Sequence, residues 1–137
     1  MHLVDTSVWI EALRRSGNAR IRAELEPLIR AGDVALTDWI ILELMVGIRT
    51  NEESANLLKR FAPIHRLSLS YEGWPKAWDL AARLRKKAIS PSAADCLIAT
   101  VAIAHGATLL HCDNDFELMA KHEKNLLTVD WTELLTN

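Results

Sequence analysis

Five acidic side chains are the residues whose types and positions suit chemistry. No lysine or arginine is interleaved near them in the sequence. Carboxylates that meet in space repel one another and raise each other's pKa unless protons or cations compensate. Mg²⁺ and Mn²⁺ are the hard ions that fit such a group, whereas calcium is disfavoured because the chain has no EF-hand loop. The acids are Asp5, Glu43, Asp95, Asp113 and Asp115.

The chemistry that such a group favours is metal-assisted hydrolysis of a phosphodiester bond. A bound ion lowers the pKa of a water molecule to supply hydroxide, and the same ion or a second one stabilises charge on the leaving oxygen. The hydroxyls of Thr6 and Ser7, which follow Asp5, are candidates to orient a water on the ion. The sequence favours neither one ion over two nor a division of roles between Asp113 and Asp115.

Other hydrolytic chemistries lack their motifs in this chain. The sequence contains neither a GxSxG nucleophile elbow nor a Walker loop. His111 lies beside Cys112, but no third orienting group accompanies them. The aspartyl-phosphatase pattern also fails, because the residue two positions after Asp5 is Ser7 rather than a second acid.

Each acid also has a purely structural interpretation. Asp5 and the two hydroxyl residues after it suit the cap of a following helix. Asp95 lies in the first turns of a helix that begins near Ser92, where a carboxylate suits the positive end of the helix dipole. Glu43 lies in the middle of a helix, away from the centre of its apolar stripe, and its alternative is a boundary glutamate that reaches water.

Short apolar strands that alternate with helices position these acids. The alternation predicts an α/β, three-layer sandwich with a central, mainly parallel sheet of four to five strands flanked by helices, because parallel strands need crossovers that cover the sheet. The working crevice of such sheets lies outside the carboxyl ends of the strands, where the strand order reverses. Asp5, Asp113 and Asp115 fall on this edge. The predicted strands are 2–4, 33–37, 64–69, 107–112 and 126–129, and the predicted helices are 7–15, 21–31, 38–48, 52–61, 71–88, a helix from 92, 115–122 and a closing turn at 130–135.

Length and composition are those of an ordinary globular protein. The chain has 137 residues, of which half are apolar and a quarter charged, which predicts one domain over 1–137. The net charge of −2 gives no general attraction to nucleic acid. Basic residues are nevertheless clustered, and each cluster is either an RNA-binding track or a solvated helix surface. The clusters are Arg14, Arg15, Arg20 and Arg22, and Arg83, Arg85, Lys86 and Lys87.

The compartment predicted from the sequence is the cytoplasm. Asp5 and Glu11 interrupt any leader-like pattern at the N-terminus, and no apolar stretch approaches the roughly 20 residues of a membrane span. Cys96 and Cys112 lack a CxxC or Cys/His ligand spacing, so we expect buried free thiols rather than a disulfide or a zinc site.

Four segments of the chain, taken in order, resemble the PIN-domain family and specifically the VapC-type ribonuclease toxins. The first holds the opening strand and acid, the second the glutamate helix, the third the next acid with its helix and strand, and the last an acidic box. Any one of these motifs is weak, but together and in order they cover most of the chain. The segments are LVDTSVWIEALR, ILELMVGI, SPSAADCLIATVAIAHGATLL and DNDFELM.

The resemblance implies a PIN-like nuclease domain and an endoribonuclease that depends on Mg²⁺ or Mn²⁺. Its metal-binding acids would be Asp5, Glu43, Asp95 and Asp113 or Asp115. Proteins of this type typically dimerise and are held inactive by a small cognate antitoxin whose tail lies across the acidic groove. The expected partners are therefore an RNA substrate, an antitoxin and a second copy of the chain.

His111 departs from the pattern of the family. The family usually has threonine or serine two residues before the first aspartate of its last box, and that hydroxyl helps to position a metal or a phosphate. An imidazole there either substitutes as a phosphate donor or a ligand, or is simply packed at the end of the strand, which is the interpretation favoured here.

Two of the five tryptophans also have two interpretations each. Trp9 and Trp39 lie beside segments that carry predicted site residues, so they either stack on a base or pack in a core or an interface. Packing is the favoured interpretation. Trp74 and Trp78 are one helical turn apart, which predicts a packing pair.

Two alternatives to a toxin nuclease share the same fold. One is an RNA-processing nuclease without a toxin role, and the other is a catalytically impaired module that binds RNA or protein, since fold alone does not fix function. The complete set of acids favours catalysis.

Overall fold

A computed structural model describes residues 1–136 of the chain. Within them, parallel strands alternate with helices, as the pattern predicts. The five strands are β1 (His2–Val4), β2 (Val34–Leu36), β3 (His65–Arg66), β4 (Thr108–His111) and β5 (Thr128–Asp130). The seven α-helices are α1 (Thr6–Leu13), α2 (Ala19–Arg30), α3 (Asp38–Val46), α4 (Asn51–Phe61), α5 (Trp74–Lys86), α6 (Ala93–Ala104) and α7 (Asn114–Ala120).

The five strands form one sheet in the order β3-β2-β1-β4-β5. Every neighbouring pair is parallel, and Leu3 of β1 lies in register with Ala35 of β2 and Leu109 of β4. The chain moves outward from β1 to β3 on one side and from β4 to β5 on the other. The strand order therefore reverses between β1 and β4, which is where α/β sheets place their ligand crevice.

The core lies around the central strands. Leu3, Leu36 and Leu109 are fully buried, because a parallel sheet flanked by helices hides both faces and its strands become continuous apolar runs. Ala99 and Ala102 of α6 are also fully buried, and their small side chains let this helix approach its neighbours closely. The predicted α/β sandwich is confirmed.

Several helix starts follow the polar residues that the sequence places there. The Thr37 hydroxyl accepts a hydrogen bond from the backbone N–H of Ile40 at 3.2 Å and caps α3. Pro75 lies in the first turn of α5, where its missing N–H costs nothing. These local signals made the prediction of helix positions accurate to within a few residues.

The largest differences from the predicted elements occur at the sheet edge and in the segment that follows it. Strand β3 contains only two residues, both exposed, instead of the predicted 64–69. A 3₁₀ turn at Tyr71–Gly73 precedes α5, because the Ser70 hydroxyl accepts a hydrogen bond from the Gly73 N–H at 3.2 Å. A second 3₁₀ turn, Thr132–Leu135, follows β5. Strand β3 lies at the edge of the sheet and pairs only with β2, which ends at Leu36. The apolar pattern of the segment therefore continues beyond the residues that pair.

The five tryptophans differ in burial: one lies in the core, Trp131 is half-buried against the core, and three are exposed. Trp9 is buried, donates its indole N–H to the Val4 carbonyl oxygen at 3.1 Å and packs edge-on against Phe61, as the packing interpretation predicts. Trp74 and Trp78 are exposed on α5, so the predicted packing pair does not hold within one protomer. Trp39 is also exposed and borders an apolar cavity together with Trp74.

Both cysteines are free thiols, as predicted, and differ in burial. Cys96 is buried, whereas Cys112 is partly exposed, which corrects the expectation for the second thiol. Burial raises the pKa of Cys112 to about 11, with nearby acids adding to the effect. Among residues 1–136, no helix combines the length and apolarity that a membrane crossing demands.

We expect Leu110→Ala to lower the free energy of unfolding by about 2–5 kcal/mol, because it leaves a cavity at a fully buried position of β4. Leu58→Ala on the exposed face of α4 is the matched control and should change stability by no more than about 0.5 kcal/mol. Urea unfolding of both variants measures the difference. Equal effects would contradict the burial of β4.

Candidate active site

The reversal point between β1 and β4 brings two of the predicted acids to one edge of the sheet. Asp5 follows β1 directly, and its backbone N–H donates to the Leu110 carbonyl oxygen of β4 at 2.9 Å. Asp113 follows β4 by one residue and is the N-cap of α7. Parallel strands end at the same edge, so two positions more than a hundred residues apart in sequence become neighbours.

Ser7 fixes the carboxylate of Asp5. Its backbone N–H and its hydroxyl both donate to Asp5 Oδ2, at 3.0 and 2.6 Å. The same hydroxyl accepts a hydrogen bond from the backbone N–H of Cys112 at 3.0 Å. One serine therefore connects the ends of β1 and β4 and orients the acid between them.

Asp5 is only 5% exposed, which makes its charge costly. Burial raises the pKa of Asp5, the hydrogen bonds from Ser7 oppose this shift, and repulsion from Asp113 adds to it. The hydrogen bonds favour the carboxylate without cancelling the cost of its burial, and the repulsion shows that a second charge lies within reach.

Three carboxylates form the densest acidic group in the described part of the chain. Asp95, Asp113 and Asp115 each offer an oxygen, and these oxygens lie within 4.8 Å of one another. Asp113 accepts a hydrogen bond from the Asp115 N–H at 2.9 Å, which places both acids at the start of α7. The spacing brings a third acid from another helix to the same point.

Asp95 shows the cost of this arrangement most clearly. The backbone N–H of Asp95 donates a hydrogen bond to the Ser92 hydroxyl at 3.1 Å, and this bond fixes the first turn of α6. Burial raises the pKa of Asp95 to about 6, and repulsion from Asp113, Asp5 and Asp115 contributes to the shift. The first turn of a helix favours a carboxylate, but here burial and neighbouring charges outweigh that preference.

Glu43 is connected to this site through Thr6. The Thr6 hydroxyl donates to Glu43 Oε1 at 2.8 Å, across the contact between α1 and α3. Glu43 is half-buried, so it is not a glutamate on the open surface, although it lies outside the group of three carboxylates. The hydroxyls of Thr6 and Ser7 both serve carboxylates here, and their predicted task of orienting a water stays a prediction.

No basic side chain compensates these acids. The ion pairs found among residues 1–136 involve none of the five predicted acids. Carboxylates without a cationic partner, with oxygens less than 5 Å apart, suit a hard divalent cation, which takes oxygen ligands and neutralises their repulsion. The donor set fits a metal centre of the kind predicted from the sequence.

His111 is the one predicted position whose alternatives the structure separates. The side chain is 0% exposed and both ring nitrogens are bonded within the protein. The backbone N–H of Asp113 donates to Nδ1 at 3.0 Å, and Nε2 lies 2.7 Å from Glu117 Oε2. The packed interpretation is therefore confirmed, and neither nitrogen is free to bind a metal or a phosphate.

Glu117 is the residue of this region that sequence analysis missed. It lies in α7, six positions after its histidine partner, and that spacing matches neither a strand nor a helix because the pair spans the junction between the two. The only available signal was its position inside the acidic box, in the first turn of a helix, where an acidic side chain has an ordinary explanation in the helix dipole.

A sequence model of the PIN domain matches residues 2–122. This match covers most of the chain and includes all five predicted acids. The protein therefore belongs to the PIN-domain family.

Known relatives agree with this assignment. Ribonuclease VapC11 of Mycobacterium tuberculosis is 30% identical over 125 residues, which cover 88% of this chain and 92% of that protein. VapBC2 from Rickettsia felis, solved bound to a DNA fragment from its promoter, matches with a TM-score of 0.78 at 20% identity, over 95% of this chain and 98% of that chain. VapBC-5 from M. tuberculosis, a member of the VapBC family of toxin–antitoxin systems, matches with a TM-score of 0.66 at 20% identity, over 94% and 97%. The two structures establish the fold.

We expect Asp95→Asn to stabilise the protein in EDTA by about 1 kcal/mol at pH 7.5, after allowance for solvent screening of a partly exposed group. The folded-state pKa of about 6 lies above the ordinary 3.8, so wild-type stability falls as pH rises from about 4 to about 6 and stays low above that range. The gain from the substitution should shrink as pH falls through the same range. Urea unfolding at pH 7.5 and pH 4.5 measures it.

The matched control is Asp79→Asn, which removes one negative charge from an exposed position on α5. This variant should change stability little and equally at both pH values. A gain for Asp95→Asn that is the same at both pH values, or no larger than that of the control, would contradict the cost of a charge at Asp95, which comes first from burial and then from the neighbouring acids.

Proposed function

We propose that this chain is a divalent-metal-dependent endoribonuclease, one PIN-like nuclease domain over 1–137, that acts as the toxin of a toxin–antitoxin pair. The observation that carries the proposal is the meeting of Asp95, Asp113 and Asp115 oxygens within 4.8 Å, next to the buried Asp5. A relative that is 30% identical over most of both chains bears the name ribonuclease, which supports RNA as the substrate.

The metal ligands in this proposal are Asp95, Asp113, Asp115 and Asp5, with Glu43 bordering the site. Mg²⁺ is the expected ion and Mn²⁺ an alternative, because both prefer carboxylate oxygens and retain waters. When bound, such an ion supplies the chemistry of phosphodiester hydrolysis by lowering the pKa of a water and by stabilising charge on the leaving oxygen.

The chain's own hydrogen bonds keep the acids in place before any ligand arrives. Ser7 holds Asp5 by two bonds, and Thr6 holds one oxygen of Glu43. Both hydroxyl residues lie in the first turn of α1, so one helix start orients acids from two elements. Fixed carboxylates lose little freedom when they bind an ion, which is the usual basis of a preorganised site.

The proposed partners are an antitoxin and a second copy of the chain. VapBC-5, whose fold this chain shares, belongs to a family of toxin–antitoxin systems. An antitoxin whose tail covers the acidic edge would keep RNA away from the metal. The alternative roles, RNA processing without toxicity or binding without catalysis, are separate outcomes of the experiments below.

We expect purified protein to cut RNA in Mg²⁺ or Mn²⁺ and not in excess EDTA. Asp95→Asn and Asp113→Asn should each lower the cleavage rate by more than about 100-fold, since even the loss of an outer partner of a metal ligand costs roughly 10–100-fold. Cleavage of total cellular RNA, followed by mapping of the fragment ends, measures this.

Asp79→Asn is again the control and should cut at the wild-type rate. Full cleavage in EDTA, or unchanged rates in both site variants, would refute the metal-dependent nuclease. RNA binding without cleavage in any metal would favour the impaired binding module. Cleavage that leaves growth unaffected when the chain is produced without an antitoxin would favour an RNA-processing enzyme.

The basic clusters make a second prediction about RNA. The cluster at the end of α5 is exposed at Arg85, Lys86 and Lys87. The other cluster is exposed at Arg15 and Arg22. If a cluster contacts phosphates, each contact releases counterions, so the slope of log K against log salt concentration changes by about 0.7 per contact with single-stranded RNA.

We therefore expect Lys86→Ala with Lys87→Ala, or Arg15→Ala with Arg22→Ala, to reduce that slope by about 1.4 units. Fluorescence anisotropy with the Asp95→Asn protein as the background avoids cleavage during the measurement. Arg30→Ala, which removes a residue already paired with Glu26 at 2.5 Å, is the control. Unchanged slopes in both double variants would assign the clusters to solvated surface.

A further inference from the structure

His111 is a polar ring in a fully buried position at the end of β4. Its ring centroid lies 5.3 Å from that of Phe116 of α7, so one side of the ring faces an apolar neighbour. Burial of a polar group is costly unless each polar atom is hydrogen-bonded. The bonds that satisfy the ring therefore restrict what the ring can do.

The partner at Nδ1 fixes the tautomer of His111. A backbone N–H is always a donor, so Nδ1, which accepts the N–H of Asp113 at 3.0 Å, carries no hydrogen. The hydrogen of the neutral ring must then lie on Nε2, which donates to Glu117 Oε2 at 2.7 Å. The 2.7 Å contact is thus a hydrogen bond from a neutral imidazole to a carboxylate.

These two bonds join the end of a strand to the helix that follows it. His111 ends β4, Asp113 caps α7, and Glu117 lies in the middle of that helix. The ring connects the backbone of the cap to the body of the helix. Asp113 in turn accepts the N–H of Asp115 at 2.9 Å, so the ring indirectly fixes the backbone that carries both carboxylates.

We propose that His111 and Glu117 form a positioning pair that sets where the carboxylates of Asp113 and Asp115 lie relative to Asp95. The inference rests on the proposed function, because it assigns the pair to the acids that would hold the metal. His111 itself touches neither ion nor RNA, since both of its nitrogens are bonded within the protein. The pair acts through the turn between β4 and α7.

The alternative is that His111 only fills space beside Phe116. A space-filling ring affects the stability of the whole protein but not the affinity for metal of the molecules that remain folded. A positioning ring affects both, and it does so according to which nitrogen is lost. Metal affinity measured apart from activity therefore separates the two roles.

Variants that each keep one half of the ring provide the test. Asparagine places an acceptor near the position of Nδ1, so His111→Asn should keep Mn²⁺ affinity within about 3-fold of wild type. His111→Gln keeps only the Nε2 side, and His111→Phe keeps only the packing; each should weaken Mn²⁺ binding by roughly 10–100-fold, the usual cost of losing an outer partner of a metal ligand. Glu117→Gln keeps an acceptor for Nε2 and should behave like wild type, whereas Glu117→Ala removes the partner that orients the ring and should weaken Mn²⁺ binding by the same roughly 10–100-fold.

Titration calorimetry with Mn²⁺ alone measures these affinities, and unfolding in EDTA measures stability separately. Leu25→Ala on α2 is the control for general destabilisation, because it opens a cavity at a buried position of another helix and should leave Mn²⁺ affinity unchanged. In the wild-type protein, nitrogen NMR should show a hydrogen on Nε2 of His111 and none on Nδ1. This last measurement needs no variant to fold.

The outcomes separate this inference from the proposed function. If the wild type binds Mn²⁺ and the His111→Gln and His111→Phe variants, or the Glu117→Ala variant, bind it as tightly, the positioning pair is overturned and the nuclease stays intact; a hydrogen on Nδ1 of His111 would have the same consequence. Failure of the wild type itself to bind Mn²⁺ would overturn both. Weakened binding in His111→Gln, His111→Phe and Glu117→Ala, with affinity kept in His111→Asn and Glu117→Gln, supports the pair.

Discussion

The cost of holding partly buried carboxylates close together at one end of a parallel sheet is the constraint on which the rest of this structure depends. The pKa values of Asp5 and Asp95 are both raised, chiefly by burial and further by neighbouring acids. The cost at Asp95 is on the order of 1 kcal/mol once screening is included, whereas each fully buried leucine of the central strands contributes about 1.5–3 kcal/mol. The core therefore tolerates the site, and the acids do not need to stabilise the fold.

Short polar side chains keep the acids in place under this repulsion. Ser7 orients Asp5, Thr6 orients Glu43, and the N–H groups at the starts of α6 and α7 are satisfied by Ser92 and Asp113. Thr6 and Ser7 share one helix start, and the Asp115 N–H is bonded to Asp113. The acids are therefore linked to one another through the first turns of two helices.

The sequence predicted the features that depend on local chemistry. Asp5 and Asp113 were placed correctly because an apolar run followed by a capping acid marks a strand end before a helix. The hydrogen bond between His111 and Glu117 could not be predicted from the sequence, because it depends on the orientation of the histidine ring and on the angle between β4 and α7. The exposure of Trp74 and Trp78 was also missed, since helical spacing shows which residues share a face but not whether anything covers that face.

The charge distribution gains a different meaning once the acids are located. The chain contains 16 lysines and arginines and 18 acidic residues. The resulting small negative net charge gives no general attraction to nucleic acid. Five of those acids are the predicted site residues, so the rest of the chain has 13 acids against 16 basic residues, an excess of three positive charges. A divalent ion bound at the acidic edge would neutralise part of that charge, so these acids would oppose a polyanion less than the formal count suggests. The small negative net charge of the whole chain is therefore not, by itself, an argument against RNA as a ligand.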